Sequence, residues 1–177
     1  FKPGQYCTLG VDGIERAYSI VSAPEEDLLE IFVELVPIPD GVLTPRLWEI
    51  KPGGNTTMRP RAKGIFTLDQ HYNQHLMVAT VTGIAPYISI IRSYFLNGLK
   101  GHKFYVLHGA SYEDELVYKD EIEALAHAYP DTVAYMATVS RPQDQRNANW
   151  NGTTGRVNAN VEDWITRLGL NNQSILV

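Results

Sequence analysis

Apolar and polar positions follow two different rhythms along this chain. In the first part the period is short. Tyr6-Cys7-Thr8-Leu9 alternates as a half-buried strand does, and Asp12-Gly13 marks a tight hairpin turn. Residues 17–21 read as a second strand, closed by Ala23-Pro24-Glu25-Glu26-Asp27. Residues 28–36, rich in β-branched and aromatic side chains, read as a third. Pro37, Pro39 and Gly41 break it. A short helix is predicted over 44–49, a loop at Lys51-Pro52-Gly53-Gly54, and further strands over 56–59 and 64–68. Many short strands with regular turns predict a small antiparallel β-barrel.

From about His75 the rhythm becomes strand, helix, strand, helix. Strands are predicted over 75–81, 104–109 and 133–139, with a fourth beginning at 174–177. Helices are predicted over 85–96, 113–128 and 161–168. This alternation predicts a parallel sheet flanked by helices, which binds ligands at the carboxyl ends of its strands. The polar, Asn-rich stretch 143–155 reads as a surface loop. The expected organisation is a barrel domain over 1–70 followed by a Rossmann-like α/β domain over 74–177. Phe1-Lys2-Pro3-Gly4-Gln5-Tyr6 reads as the middle of a domain and Ser174-Ile175-Leu176-Val177 as a strand with nothing after it, so both ends look cut.

Composition narrows the classes of function. The 177 residues are 44% hydrophobic and 20% charged, enough to bury a core. A net charge of −5 gives no reason to expect nucleic acid or a membrane surface as partner. No run approaches the roughly 18 apolar residues of a spanning helix, and no signal-peptide pattern is visible. The single cysteine, Cys7, cannot build a disulfide framework, which fits a reducing, cytoplasmic compartment. His108 has no second ligand at metal spacing, and no metal is expected. A monomer is expected.

Three stretches carry candidate chemistry. In Arg16-Ala17-Tyr18-Ser19, an arginine suited to phosphate, an aromatic suited to stacking on a flat ring, and a hydroxyl sit on one strand. Arg16 and Tyr18 share a face; Ser19 faces the other way unless the strand ends or twists. Alone, the tetrapeptide fits an exposed arginine beside a half-buried tyrosine equally well. Gly41-Val42-Leu43-Thr44-Pro45 reads as a turn into a helix with Thr44 as N-cap, where free N–H groups suit a diphosphate; a plain capped helix reads the same. Thr82-Gly83-Ile84-Ala85-Pro86 is a strand-to-helix turn, and Ser140-Arg141 and Arg156 place two arginines beyond a strand end. Such a pair suits a 2′-phosphate or simply a solvated surface. Arg59-Pro60-Arg61-Ala62-Lys63 is a basic cluster on an acidic chain, either a solvated rim or a dock for an acidic electron carrier.

Taken in order, the chain resembles the ferredoxin–NADP reductase family, in the style of the short bacterial ferredoxin/flavodoxin reductases. The resemblance rests on Pro3-Gly4-Gln5-Tyr6, Arg16-Ala17-Tyr18-Ser19, Asp40-Gly41-Val42-Leu43-Thr44-Pro45-Arg46-Leu47 and Gly64-Ile65-Phe66-Thr67-Leu68. It continues through Thr82-Gly83-Ile84-Ala85-Pro86-Tyr87, His108-Gly109-Ala110, Val139-Ser140-Arg141 and Thr154-Gly155-Arg156. It implies a flavoprotein that binds FAD and NADP and exchanges electrons between NADPH and a transiently bound ferredoxin or flavodoxin. Arg16 would hold the FAD pyrophosphate, Tyr18 stack on the isoalloxazine and Ser19 bond near its N5, making Tyr18 and Ser19 the catalytic pair. Ala17, Phe32, Val42, Leu43 and Thr44 complete the FAD side. Thr82 and Gly83, with Ala110, Ser111, Ser140, Arg141 and Arg156, make up the nicotinamide-nucleotide side, where Ser140, Arg141 and Arg156 would read the 2′-phosphate.

The chain departs from the family at three places. Val81 stands at the first glycine of the phosphate turn, Ser111 where relatives often have a further arginine, and Ile38-Pro39 looks inserted. Two alternatives share the resemblance: a reductase module of an oxygenase or longer electron-transfer chain, and a non-catalytic subunit that binds FAD.

Overall fold

The structure, a computed structural model, describes residues 1–170 and the backbone of 175–176. Its contacts divide the chain into two compact units, residues 1–68 with 85–98, and residues 69–84 with 99–177.

In the first unit, β1 (Tyr6–Val11) and β2 (Ile14–Ser19) form an antiparallel hairpin. Its turn residues Asp12 and Gly13 both have positive φ (51° and 77°), the geometry that matches strand twist in a two-residue turn. The short β3 (Thr57–Met58) adds to the other edge of β1, giving the order β2-β1-β3. Cys7, Leu9 and Ile20 form the buried cluster beneath the hairpin, with Tyr18, Ile31 and Ala62 packed against it. Helix α1 (Thr44–Glu49) is tied to the hairpin turn by an Arg46–Asp12 ion pair at 3.4 Å.

Two of the expected strands do not form. Residues 28–36 contribute a single bridge, Ile31 to Ile20, and 64–68 none beyond the neighbouring Lys63 to Tyr6 bridge. Their apolar side chains are not buried: Leu28 is 81% exposed and Ile65 fully exposed. Strand propensity measures fit to a pleated, half-buried surface, and without that surface it has nothing to act on.

Helix α2 (Ala85–Leu96) follows the expected bounds but groups with the first unit, unlike a boundary at 70–74. Buried Ser89 donates to the Ser22 carbonyl at 2.7 Å, and Arg92 donates to Glu30 at 2.6 Å.

The second unit is a parallel sheet in the order β7-β6-β5-β4-β8. Its strands are β4 (Gln74–Thr80), β5 (Lys103–Ala110), β6 (Val133–Val139), β7 (Thr153–Thr154) and β8 (Ile175–Leu176). Of the expected strand 174–177, Ser174 and Val177 lie outside the described residues. The order steps from β4 through β5 and β6 to β7, then returns to the far side of β4. β5 reads Phe104-Tyr105-Val106-Leu107 because both of its faces are covered. Helix α4 (Val157–Arg167) packs Val157 and Trp164 on Leu76, Tyr105 and Leu107. It begins four residues earlier than the sequence predicts, because Gly155 (φ 102°) turns the chain into it directly from β7. Helix α3 (Lys119–Ala128) lies against β6 with Ile122 fully buried. It is shorter than predicted: residues 113–115 form a separate single turn, and Tyr118 at φ 67° separates the two.

Among the described residues, no helix is long and apolar enough to cross a membrane.

Candidate functional site

The carboxyl ends of β4, β5 and β6 and the start of α4 enclose a cavity of about 310 Å³. Thr80 and Val81 line it from β4, Gly109, Ala110 and Ser111 from β5, Ser140 and Arg141 from β6, and Arg156, Val157 and Asn158 from α4. Among the described residues, no carboxylate lines it. Gly109 lets the helix start come this close: a Cβ there would sit 2.7 Å from the Val157 Cβ. Ala159 N donates back to the Arg156 carbonyl at 3.0 Å, and the N-terminus of α4 carries the positive end of the helix dipole. Together with the exposed Arg141 and Arg156 it makes an anion site.

Of the expected nucleotide residues, Ala110, Ser111, Ser140, Arg141 and Arg156 come together here. Thr82 and Gly83 do not line the cavity; they lie on the single helical turn Val81–Ile84, with Gly83 exposed. Gly83 does not take positive φ. Val81 does, at 43°. A β-branched residue in that region costs on the order of 1–3 kcal/mol. The position that would suit glycine is therefore occupied by valine, whose side chain is half-buried against Ala110, Leu116, Ala137 and Val139.

Sequence reasoning missed the residues that hold this site in shape. Asn147, 2% exposed, donates from Nδ2 to the Ser111 carbonyl (2.9 Å) and the Arg141 carbonyl (2.8 Å), and its Oδ1 accepts from Glu113 N (2.8 Å). It thus clamps the ends of β5 and β6 together. The ring of Tyr112 lies 3.6 Å from the Arg146 guanidinium carbon, and its hydroxyl accepts from Arg141 Nη1 at 2.7 Å. Arg146 is in turn held by Asp114 through two contacts of 2.7 and 2.8 Å. The Asn-rich loop read only as surface supplies both Arg146 and Asn147. No local pattern distinguishes Asn147 from Asn149 or Asn151.

His108 is fully buried at the end of β5, with Nε2 at 3.2 Å from the Val81 carbonyl and Nδ1 at 3.3 Å from the Tyr135 hydroxyl. Burial pushes its pKa down to about 4. His75, 3% exposed and 2.9 Å from His102, is likewise pushed down to about 4, first by burial and then by the neighbouring histidine's charge. Both are neutral in the fold and take up protons more readily in the unfolded chain. The stability they confer is complete above about pH 6.5 and is lost as pH falls toward about 4. The melting temperature is expected to fall already between about pH 6.5 and 5, above the range in which ordinary carboxylates titrate. A flat profile in that window contradicts it.

On the first unit, Arg16 and Ala17 are exposed, Tyr18 and Ser19 half-buried. Arg16 Nη1 donates to the Glu15 carbonyl at 2.8 Å. Burial raises the Tyr18 phenol, opposed by the charge of Arg16. Phe32 is half-buried on a segment that forms no strand. Thr44 is not the cap expected of it: Leu43 occupies the N-cap of α1, and the Thr44 hydroxyl donates to Val36 O and accepts from Val36 N, both at 3.0 Å. The backbone N–H groups of Val42, Leu43 and Thr44 make no hydrogen bond among the described residues. Three consecutive free backbone donors can hold an anion, by backbone rather than by the threonine hydroxyl.

The comparisons with known proteins bear on this geometry. A family model for the oxidoreductase NAD-binding domain matches residues 77–177, the segment that carries the cavity. The chain belongs to that family. The resemblance to ferredoxin–NADP reductases holds as well. The flavodoxin/ferredoxin–NADP reductase of Escherichia coli K12 is 36% identical over 169 residues, covering 92% of this chain and 64% of that protein. Ferredoxin–NADP reductase B of Sorangium cellulosum is 34% identical over 172 residues, covering 92% and 66%. The chain thus spans about two thirds of the length of these curated relatives. Among solved structures, a Plasmodium falciparum ferredoxin-NADP+ reductase with 2′P-AMP superposes with a TM-score of 0.78 at 22% identity, covering 98% of this chain and 71% of that one, which supports the fold. Among the described residues, no group of three His, Cys, Asp or Glu side chains is placed to hold a metal ion.

Proposed function

We propose that this chain is the cofactor-binding part of a flavoprotein reductase that passes electrons between NADP(H) and a ferredoxin- or flavodoxin-type carrier. The carboxylate-free cavity, with Arg141, Arg156 and the start of α4 on its wall, carries the reading. Arg141 and Arg156 take the 2′-phosphate, Ser140 and Ser111 add polar contacts, and the β4 turn with Thr82 and Gly83 faces the pyrophosphate and nicotinamide end. The curated relatives reported above, at 34–36% identity, are named reductases, which favours this reading over an oxygenase module or a non-catalytic subunit.

The antiparallel unit over 1–70 belongs to a flavin-binding barrel in this reading, and 74–177 to the nucleotide-binding domain. FAD, when bound, supplies the step between two-electron hydride transfer and one-electron transfer. Arg16 and the N–H groups of Val42, Leu43 and Thr44 would hold its diphosphate, Ala17 and Phe32 would flank it, Tyr18 would stack on the ring and Ser19 would donate a hydrogen bond to it. A groove of about 400 Å³ lined by Arg59, Arg61 and Lys63 suits an acidic carrier, although Arg59 is already engaged by Glu15 at 2.7 Å. The protein works as a monomer in the cytoplasm.

Two measurements test this. Flavin released from the full-length protein is expected to be FAD, since a mononucleotide leaves the diphosphate donors unused; a predominance of FMN contradicts the assignment. Tyr112→Phe removes the acceptor that aims Arg141. It is expected to weaken NADPH binding about fivefold, the loss of about 1 kcal/mol for an exposed charge-assisted bond, with NADH unaffected. Equal losses for both nucleotides contradict a role through the 2′-phosphate.

A further inference from the structure

The turn after β4 has the backbone shape that glycine takes freely, yet carries valine. Something must hold Val81 there, and the residues around it show what does. The Val81 carbonyl can only accept a hydrogen bond, so His108 Nε2, 3.2 Å away, carries the proton. A neutral imidazole then presents Nδ1 as acceptor, and the Tyr135 hydroxyl, 3.3 Å away, donates to it. Tyr135 stays protonated, because burial and the nearby Glu123 and Asp120 raise its pKa. The result is a directed chain, Tyr135 hydroxyl to His108 to Val81 carbonyl, ending at the cavity wall.

We propose that His108, backed by Tyr135, is a positioning residue that holds Val81 in its left-handed conformation and so builds the phosphate-facing turn without a glycine. Its consequence for binding rests on the reading that the cavity takes NADP(H). Its consequence for the turn does not. His108 touches no ligand in this scheme; it acts through the Val81 backbone.

The test is a double-substitution cycle on the full-length protein, read by NADP+ affinity and by ligand-free melting temperature. His108→Leu is expected to weaken NADP+ binding about tenfold, the equivalent of one lost hydrogen bond at the upper end of its usual range. In the Val81→Gly background, where the conformation no longer needs holding, the same change is expected to cost less than about twofold. Without ligand, Val81→Gly should raise the melting temperature more in the His108→Leu protein than in the wild type. If His108→Leu does not fold, Tyr135→Phe keeps the ring and gives a milder form of the same pattern, about threefold on NADP+ and abolished by Val81→Gly. Equal losses of affinity in both backgrounds, or a melting-temperature cycle that is additive, overturn the proposal. Should wild type fail to bind NADP+, the functional reading falls, and the ligand-free cycle alone decides the role of His108.

Discussion

Replacing Arg141 and Arg156 together by alanine is expected to lower NADPH affinity roughly 30- to 100-fold while leaving NADH within about threefold. Charge-assisted hydrogen bonds contribute about 1.5–3 kcal/mol each. Both arginines are exposed, so solvent screening puts each at or below the low end of that range. Two such contacts then total about 2–3 kcal/mol, and tenfold corresponds to about 1.4 kcal/mol. The effect can be read cleanly because neither side chain supports the fold. Arg156 sits at the N-cap of α4 without a side-chain capping bond, and among the described residues the Arg141 side chain is held by Tyr112. Ser111 carries no charge, so among the described residues Arg141 and Arg156 are the cationic side chains in the cavity wall. Affinities from fluorescence or calorimetric titration check it; a parallel loss for NADH shows a general anion site instead.

Asn147→Ala should be among the most destabilising substitutions in the second unit. It removes three hydrogen bonds made by a buried side chain, to the Ser111 and Arg141 carbonyls and from the Glu113 N–H, while the Arg141 carbonyl keeps Asp144 N at 3.1 Å. At about 1 kcal/mol per bond the loss is about 3 kcal/mol, which for a protein of this size lowers the melting temperature by roughly 6–12 °C. Because Asn147 ties the Ser111 and Arg141 carbonyls together, NADPH affinity should fall with it. Asn147→Asp is no rescue, since it replaces the doubly donating amide with a carboxylate oxygen that faces two carbonyl acceptors. Calorimetry on the purified variant decides the point, and a shift under about 2 °C contradicts the role assigned here.

The sequence showed most clearly the features where local pattern and tertiary context agree. β4, β5 and β6 are continuous apolar runs because both sheet faces are covered, and α2 keeps its predicted bounds. Asp12-Gly13 adopts the turn its residues favour. Ser140, Arg141 and Arg156 converge because strand ends and a glycine turn are both visible as sequence punctuation. What the sequence hid depends on distant neighbours. Residues 28–36 have strand composition but little surface to pair with or pack upon. Thr44 looks like a cap, yet its hydroxyl meets Val36. Asn147 is one asparagine among several until the fold buries it between two strand ends. Val81 was recognisable as a departure, but not the means of accommodating it, because His108 and Tyr135 come from two other strands.

In the proposed function, the cavity at the ends of β4, β5 and β6 reads a 2′-phosphate on an adenine nucleotide. Calorimetric titration with 2′-phospho-AMP and with AMP tests it most directly, since neither ligand needs flavin or nicotinamide. 2′-Phospho-AMP is expected to bind at least about tenfold more tightly than AMP, and the difference to disappear when Arg141 and Arg156 are both alanine. Equal affinity for the two nucleotides, or a preference that survives both substitutions, would contradict it.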